Sequence, residues 1–235
     1  MGAPLGFKTF ATGDVLTAAD TNGYLMQGVW TFASAAARDA AVTSPQEGNV
    51  CYLKDTDAVM TYSGSAWVAV GGGGMTQISS TAMSTGTVSL TSIPATYKDL
   101  RLIIRDVYPS TATYFGLQVN TDTAGNYNFY GTNYDGTAVP ALVRQAAGTI
   151  VYLNYTNAKA TDNNNTIIID FNDYANTSTI KQICSNSNIY SDTINAYGGS
   201  TLTTMYNSTS AISSIQIKTG AGTFSGGTAI LYGVN

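Results

Sequence analysis

Tyr127, Phe129, Tyr130 and Tyr134 are interleaved with Asn126, Asn128, Asn133 and Asp135. Tyrosine rings stack on the apolar faces of sugars, while Asn and Asp bond hydroxyl groups. The same mixture makes a low-entropy recognition surface for other ligands too. The competing reading is that these rings pack between sheets or between subunits. Tyr190, Asp192, Asn195, Tyr197 and Tyr206 form a second, looser cluster of the same kind.

Residues able to do covalent chemistry are scarce. The chain has 235 residues and no histidine, which removes the commonest general base and zinc ligand and excludes a Ser-His-Asp site. Asp170 and Asp173 lie three positions apart at the end of an apolar run, but nothing around them completes a glycoside-cleaving pair. Asp122 with Asn120 and Asn126 offers oxygen ligands for calcium, as does the run 161–165. Clusters of Asp, Asn and Gly more often bond their own backbone in turns, and both stretches are expected to be turns. No catalytic residue, metal or cofactor is expected.

The bulk composition narrows the partners. Only 10% of residues are charged, with 44% hydrophobic and a net charge of -4. Such a chain is apolar enough to fold and too acidic to wrap nucleic acid, since ten Lys and Arg make no basic stripe. No run approaches the length of a membrane span. The N-terminus lacks the basic and apolar blocks of a signal peptide, and Gly6 stands where a myristoylation signal wants Ser or Thr. The expectation is synthesis in the cytoplasm without secretion. Cys51 and Cys184 sit in apolar-alternating stretches and read as buried free thiols, with a disulfide between them as the alternative.

These residues must be positioned by two different kinds of element, separated by Gly71 to Gly74. Four glycines in a row lose much backbone entropy on ordering and bury no side chain, so the run reads as a linker. No Lys-Ser or Lys-Thr follows, so it is no phosphate loop. Residues 1–70 carry the helical signals. Thr17 with Asp20 is a capping pair, Leu25 and Val29 repeat at helical spacing, and Ser34 starts a short Ala-rich helix that Ser44-Pro45 stops. The period then becomes two, predicting a three-stranded meander through Val50–Leu53, Val59–Tyr62 and Ala66–Val70. A meander this small needs the helices, or copies of itself, to bury its faces. The second option is favoured and predicts a homotrimer.

Residues 75–235 read as all-β. Short apolar stretches bounded by Gly, Asn, Asp, Ser or Pro predict seven to nine strands in a two-sheet sandwich or jelly roll. Val139 to Ala147 has room for one turn of helix at most. The fold class is therefore mainly β: a small α+β region, then a β-sandwich.

The order of motifs carries a resemblance. G-D-V-L-T-A-A-D-T-N-G-Y-L-M (13–26), A-A-R-D-A-A-V-T-S-P-Q-E-G-N-V-C-Y-L-K-D-T-D (36–57) and T-Y-S-G-S-A-W-V (61–68) resemble the N-terminal attachment segment of many bacteriophage tail and fibre proteins. The succession Y-K-D-L-R-L-I-I-R, L-Q-V-N-T-D-T-A-G-N-Y-N, I-I-I-D-F-N-D-Y-A-N-T, A-I-S-S-I-Q-I and L-Y-G-V, spanning 97–234, is similar to their C-terminal β-sandwich. The resemblance implies a structural virion protein. Residues 1–70 would dock on other virion proteins, with Asp14, Leu16, Leu25 and Met26 in the attachment segment. The sandwich would contact a host-surface glycan or protein. A head fibre, a capsid decoration or a structural tail component carries the same resemblance. A depolymerase, the enzymatic rival, lacks histidine and the long repeats of a β-helix.

Overall fold

The computed structural model describes residues 11–21, 28–70, 74–134, 140–160 and 162–235. The chain divides into two compact units, Met1–Gly72 and Gly73–Asn235, so the division falls inside the glycine run.

In the first unit, helix α1 (Ala18–Asp20) opens on a full capping box. The Asp20 backbone N–H donates to Thr17 Oγ1 at 3.1 Å, and the Thr17 N–H donates to Asp20 Oδ2 at 3.3 Å. Helix α2 (Ala35–Ala41) starts at Ser34, whose Oγ accepts from the Ala37 N–H at 3.2 Å. The predicted meander is present as β2 (Val50–Leu53), β3 (Ala58–Tyr62) and β4 (Trp67–Ala69). The prediction of three strands is corrected to four. Strand β1 (Trp30–Phe32) lies parallel to β2, with Trp30 opposite Cys51 and Phe32 opposite Leu53. Three residues are too few to show alternation, and a parallel partner reached across a helix leaves no local turn signal.

Cys51 and Leu53 are buried, and so is Arg38 on α2. The Arg38 guanidinium sits 4.7 Å from the Trp67 ring centre and pairs with Asp39 at 2.8 Å. Burial pushes the Cys51 thiol up, against the opposing pull of Arg38. On the opposite sheet face Val59, Val68 and Val70 are exposed. Leu25 and Met26 lie outside the described residues; Asp14 and Leu16 are exposed.

Among the described residues the second unit is a β-sandwich of twelve strands, more than the seven to nine expected. The larger sheet has eight strands. These are β5 (Met75–Ala82), β7 (Asp99–Pro109), β9 (Tyr127–Tyr134), β10 (Ala141–Gly148), β12 (Thr166–Asn172), β13 (Lys181–Ser191), β14 (Ala196–Tyr206) and β16 (Phe224–Val234). Their spatial order is β10-β9-β14-β13-β12-β7-β16-β5. The smaller sheet orders β11 (Val151–Tyr152), β8 (Phe115–Val119), β15 (Ile215–Thr219) and β6 (Thr87–Leu90).

Strict alternation sends Leu100, Leu102 and Ile104 of β7, and Ile167, Ile169 and Phe171 of β12, into the space between the sheets. There they meet Phe115, Leu117 and Val119 of β8 and Ile215 and Ile217 of β15. Every residue of β8, one of the two interior strands of the small sheet, is buried. Asn165, fully buried, ties the larger sheet together. Its side-chain amide donates to the Val107 carbonyl and its Oδ1 accepts from the Tyr190 N–H, each at 2.6 Å. Both cysteines are free thiols. Cys51 is buried as expected, while Cys184 is only half-buried, because its register on β13 sends it to the outer face.

Candidate functional site

The tyrosine cluster lies on strand β9, and the pleat splits it in two. Tyr127, Phe129 and Asn133 point into the sandwich; Tyr130, Thr132 and Tyr134 point out. Tyr127 and Phe129 are therefore corrected from ligand candidates to core. The Tyr127 hydroxyl accepts from the Val119 N–H at 3.0 Å, and its ring stacks on Tyr206 with centroids 5.1 Å apart. Burial pushes the Tyr127 hydroxyl far above the ordinary phenol range. Asp135 lies outside the described residues.

Tyr130, 62% exposed, and Tyr134, 47% exposed, remain as surface rings. Their neighbours come from across the sheet. Arg144 of β10 and Thr203 of β14 flank Tyr130 in register, and Leu142 and Thr201 flank Thr132. Leu142 is 88% exposed. Tyr130, Gly131, Thr132, Leu142, Val143 and Arg144 line an open depression of about 560 Å³ at the sheet edge. Gly131 is required there: a Cβ would stand 2.0 Å from the Thr201 carbonyl oxygen. Leu142, Arg144 and the threonines escaped sequence reading: the single turn of helix allowed to Val139 to Ala147 is corrected to strand β10, which forms because β9 supplies its ladder. Their proximity to Tyr130 is set by pairing alone.

A second depression, of about 440 Å³, opens on the same face of the same sheet, with Arg101, Asp170, Asn172 and Cys184 among its lining. Arg101 and Asp170 face each other across β7 and β12. Nε donates to Oδ1 at 2.6 Å and Nη2 to Oδ2 at 3.0 Å. The hydrogen bond that Arg101 donates to Asp170, then the carboxylate's charge, raises the Arg101 pKa. Asp170 is thus engaged by a cation, and Asp173 sits apart in a turn at positive φ, accepting from the Asn176 amide at 2.7 Å. The two carboxylates do not form an acid pair.

The remaining candidates resolve into turns and packing. Asp122 accepts from the Ala124 N–H, the Asn126 amide and the Tyr206 hydroxyl, each at 2.8 Å. The Asn126 hydrogen bond is the main reason its carboxyl lies below its usual range. Asp162 accepts from the Asn164 N–H at 2.9 Å. No group of three or more Asp, Glu, Cys or His side chains is poised to hold a metal among the described residues. In the second cluster Tyr206 is core. Tyr190 and Tyr197 make an edge-to-face pair at 5.0 Å, with Lys159 Nζ 5.5 Å from the Tyr190 ring.

No family model and no curated protein matches the chain. Among solved structures, an exo-inulinase from Aspergillus awamori is similar at 10% identity with a TM-score of 0.33, over 79% of this chain. The chain spans 34% of that protein's length, and a likeness so slight speaks to neither fold nor activity.

Proposed function

We propose that the chain is a non-enzymatic bacteriophage virion protein, a tail fibre or receptor-binding protein. In this reading its sandwich unit adheres to the host cell surface and residues 1–70 attach it to the particle. The motif order described above supports the family. The observation that carries the adhesive role is the edge patch of Tyr130, Tyr134 and Leu142. Large apolar side chains gathered at such exposure mark interaction surfaces more often than chance. Residues 1–70 are proposed to self-associate as a trimer, which would cover the exposed Val59, Val68 and Val70 face of the small sheet.

Immunogold labelling of intact particles with an antibody against residues 75–235 tests the reading. Label at the tail tip or tail fibres is the expected result. Label spread over the capsid would replace it with a head fibre or decoration role. A concentration-independent monomer mass for the full chain in light scattering would remove the trimer.

A further inference from the structure

The two depressions are the ends of one straight feature. Arg101, Asp170, Cys184, Thr203, Tyr130 and Arg144 are consecutive register partners across β7, β12, β13, β14, β9 and β10. All six point to the outer face, and all are half-exposed or exposed. Five inter-strand steps of about 4.8 Å make the row about 24 Å long. The two middle members, Cys184 and Thr203, have short side chains. Longer ones stand on either side of them: Asp170 and Arg101, followed in register by Tyr232 of β16, and on the other side Tyr130 with Arg144. The row is therefore a shallow trough that crosses the strands at right angles, with a depression at each end.

We infer that this trough binds a linear oligosaccharide laid across the strands. The inference rests on the adhesion reading above and names its ligand and its site. Three observations favour a sugar chain. The first concerns the backbone. The strands beneath the middle of the row are interior, so their N–H and C=O groups are taken up by neighbouring strands. An extended peptide gains affinity by adding to a sheet edge, parallel to the strands, and finds no such partners when it crosses them. A sugar chain carries its own hydroxyls and needs only side chains.

The second is the chemistry beside the trough. One flank offers Asn186, Thr201 and Thr132 between the apolar Ile168 and Leu142, and the other Asn172, Gln182 and Asn128, with Met205 between the last two; the polar members line the middle of the row. These are uncharged groups that both donate and accept, which suits hydroxyls. The third is the pair of end groups. Tyr130 presents a ring at one end for a pyranose face to stack on. At the other, the Arg101–Asp170 pair is already locked by two hydrogen bonds, so donor and acceptor are fixed before ligand arrives.

The test begins with fluorescent full-length chain on bacterial strains. Surface polysaccharide is then extracted from a strain that it labels and cut into fragments graded from single sugars to long chains. Affinity should rise with fragment length until a fragment spans the trough, then level off. Thr203→Arg, which obstructs the middle, should weaken long fragments about tenfold or more and leave single sugars unchanged. Tyr130→Ala should weaken both. Thermal melting checks each variant. Tyr130 is an exposed ring one strand in from the sheet edge, so its variant keeps the test decisive if the Thr203 variant fails to fold. Affinity independent of length, absence of binding to the extracted polysaccharide, or variants that bind like the wild type would overturn the trough. Labelling of no strain at all would instead overturn adhesion itself.

Discussion

Tyr206 stacks on Tyr127 inside the sandwich while its hydroxyl donates to Asp122 Oδ2 at 2.8 Å, so one ring joins the core to a surface turn. The carboxylate at that turn also receives the Asn126 amide and the Ala124 N–H. These bonds exist only in the folded chain, and they favour the ionised form.

Stability should therefore depend on Asp122 in acid. Its folded-state pKa is lowered from the model-peptide value of 3.8, so its contribution is present above that value. The contribution fades as pH falls through the lower folded pKa, because the unfolded chain takes up the proton first. Melting temperature measured from pH 6 downward should fall less steeply for Asp122→Asn than for the wild type. Parallel curves for the two would contradict this account.

Tyr206→Phe keeps the stack and removes the hydroxyl. The expected loss is about 1 kcal/mol, read from denaturant midpoints at neutral pH. The variant should also show part of the weakened acid response of Asp122→Asn.

Gly131→Ala probes the close approach of β9 and β14. With its Cβ placed 2.0 Å from a backbone oxygen, the strands must separate locally. Destabilisation of about 1–3 kcal/mol is expected, and Tyr130 on the outer face should shift with the backbone. Chemical denaturation gives the first quantity, and a crystal structure of the variant the second.

Leu142→Ser and Phe129→Ala separate surface from core. Leu142 faces solvent, so its loss should change stability by no more than about 0.5 kcal/mol while weakening adhesion. Phe129 is buried against Tyr155, and its truncation should cost about 3–5 kcal/mol. Equal stabilities for the two variants would refute the face assignment of β9 and β10.

Ser34→Ala removes the side chain that accepts from the Ala37 N–H at the start of α2. The expected cost is about 1 kcal/mol. Two-transition calorimetry should confine it to the first unit.

The local signals were legible in the sequence. Thr17 with Asp20, Ser34, and the alternation through β2, β3 and β4 act over a few residues, and the structure repeats them. The candidate site was half legible. Asn, Asp and Gly around the tyrosines argue for a loop, but β14, some seventy residues on, supplies a ladder that overrides that preference. That ladder also decides which tyrosines face in. Arg101 meets Asp170 across 69 positions, a distance at which no spacing rule operates. Arg144 and Leu142 join Tyr130 only because β10 folds back on β9.

Strand β16 lies between β7 and β5, so residues 224–234 complete an interior position of a sheet whose first strand begins at Met75. During translation, β5 waits for its only partner strand until Phe224 and the residues after it have been made. Until then β5 and β7 both present open edges, the state in which nascent chains pair with one another. Closing so long a loop is slow, and the unit should fold on the millisecond-to-second scale of non-local β architectures. A premature stop anywhere before Phe224 would remove an interior strand, so the product would be an aggregating chain.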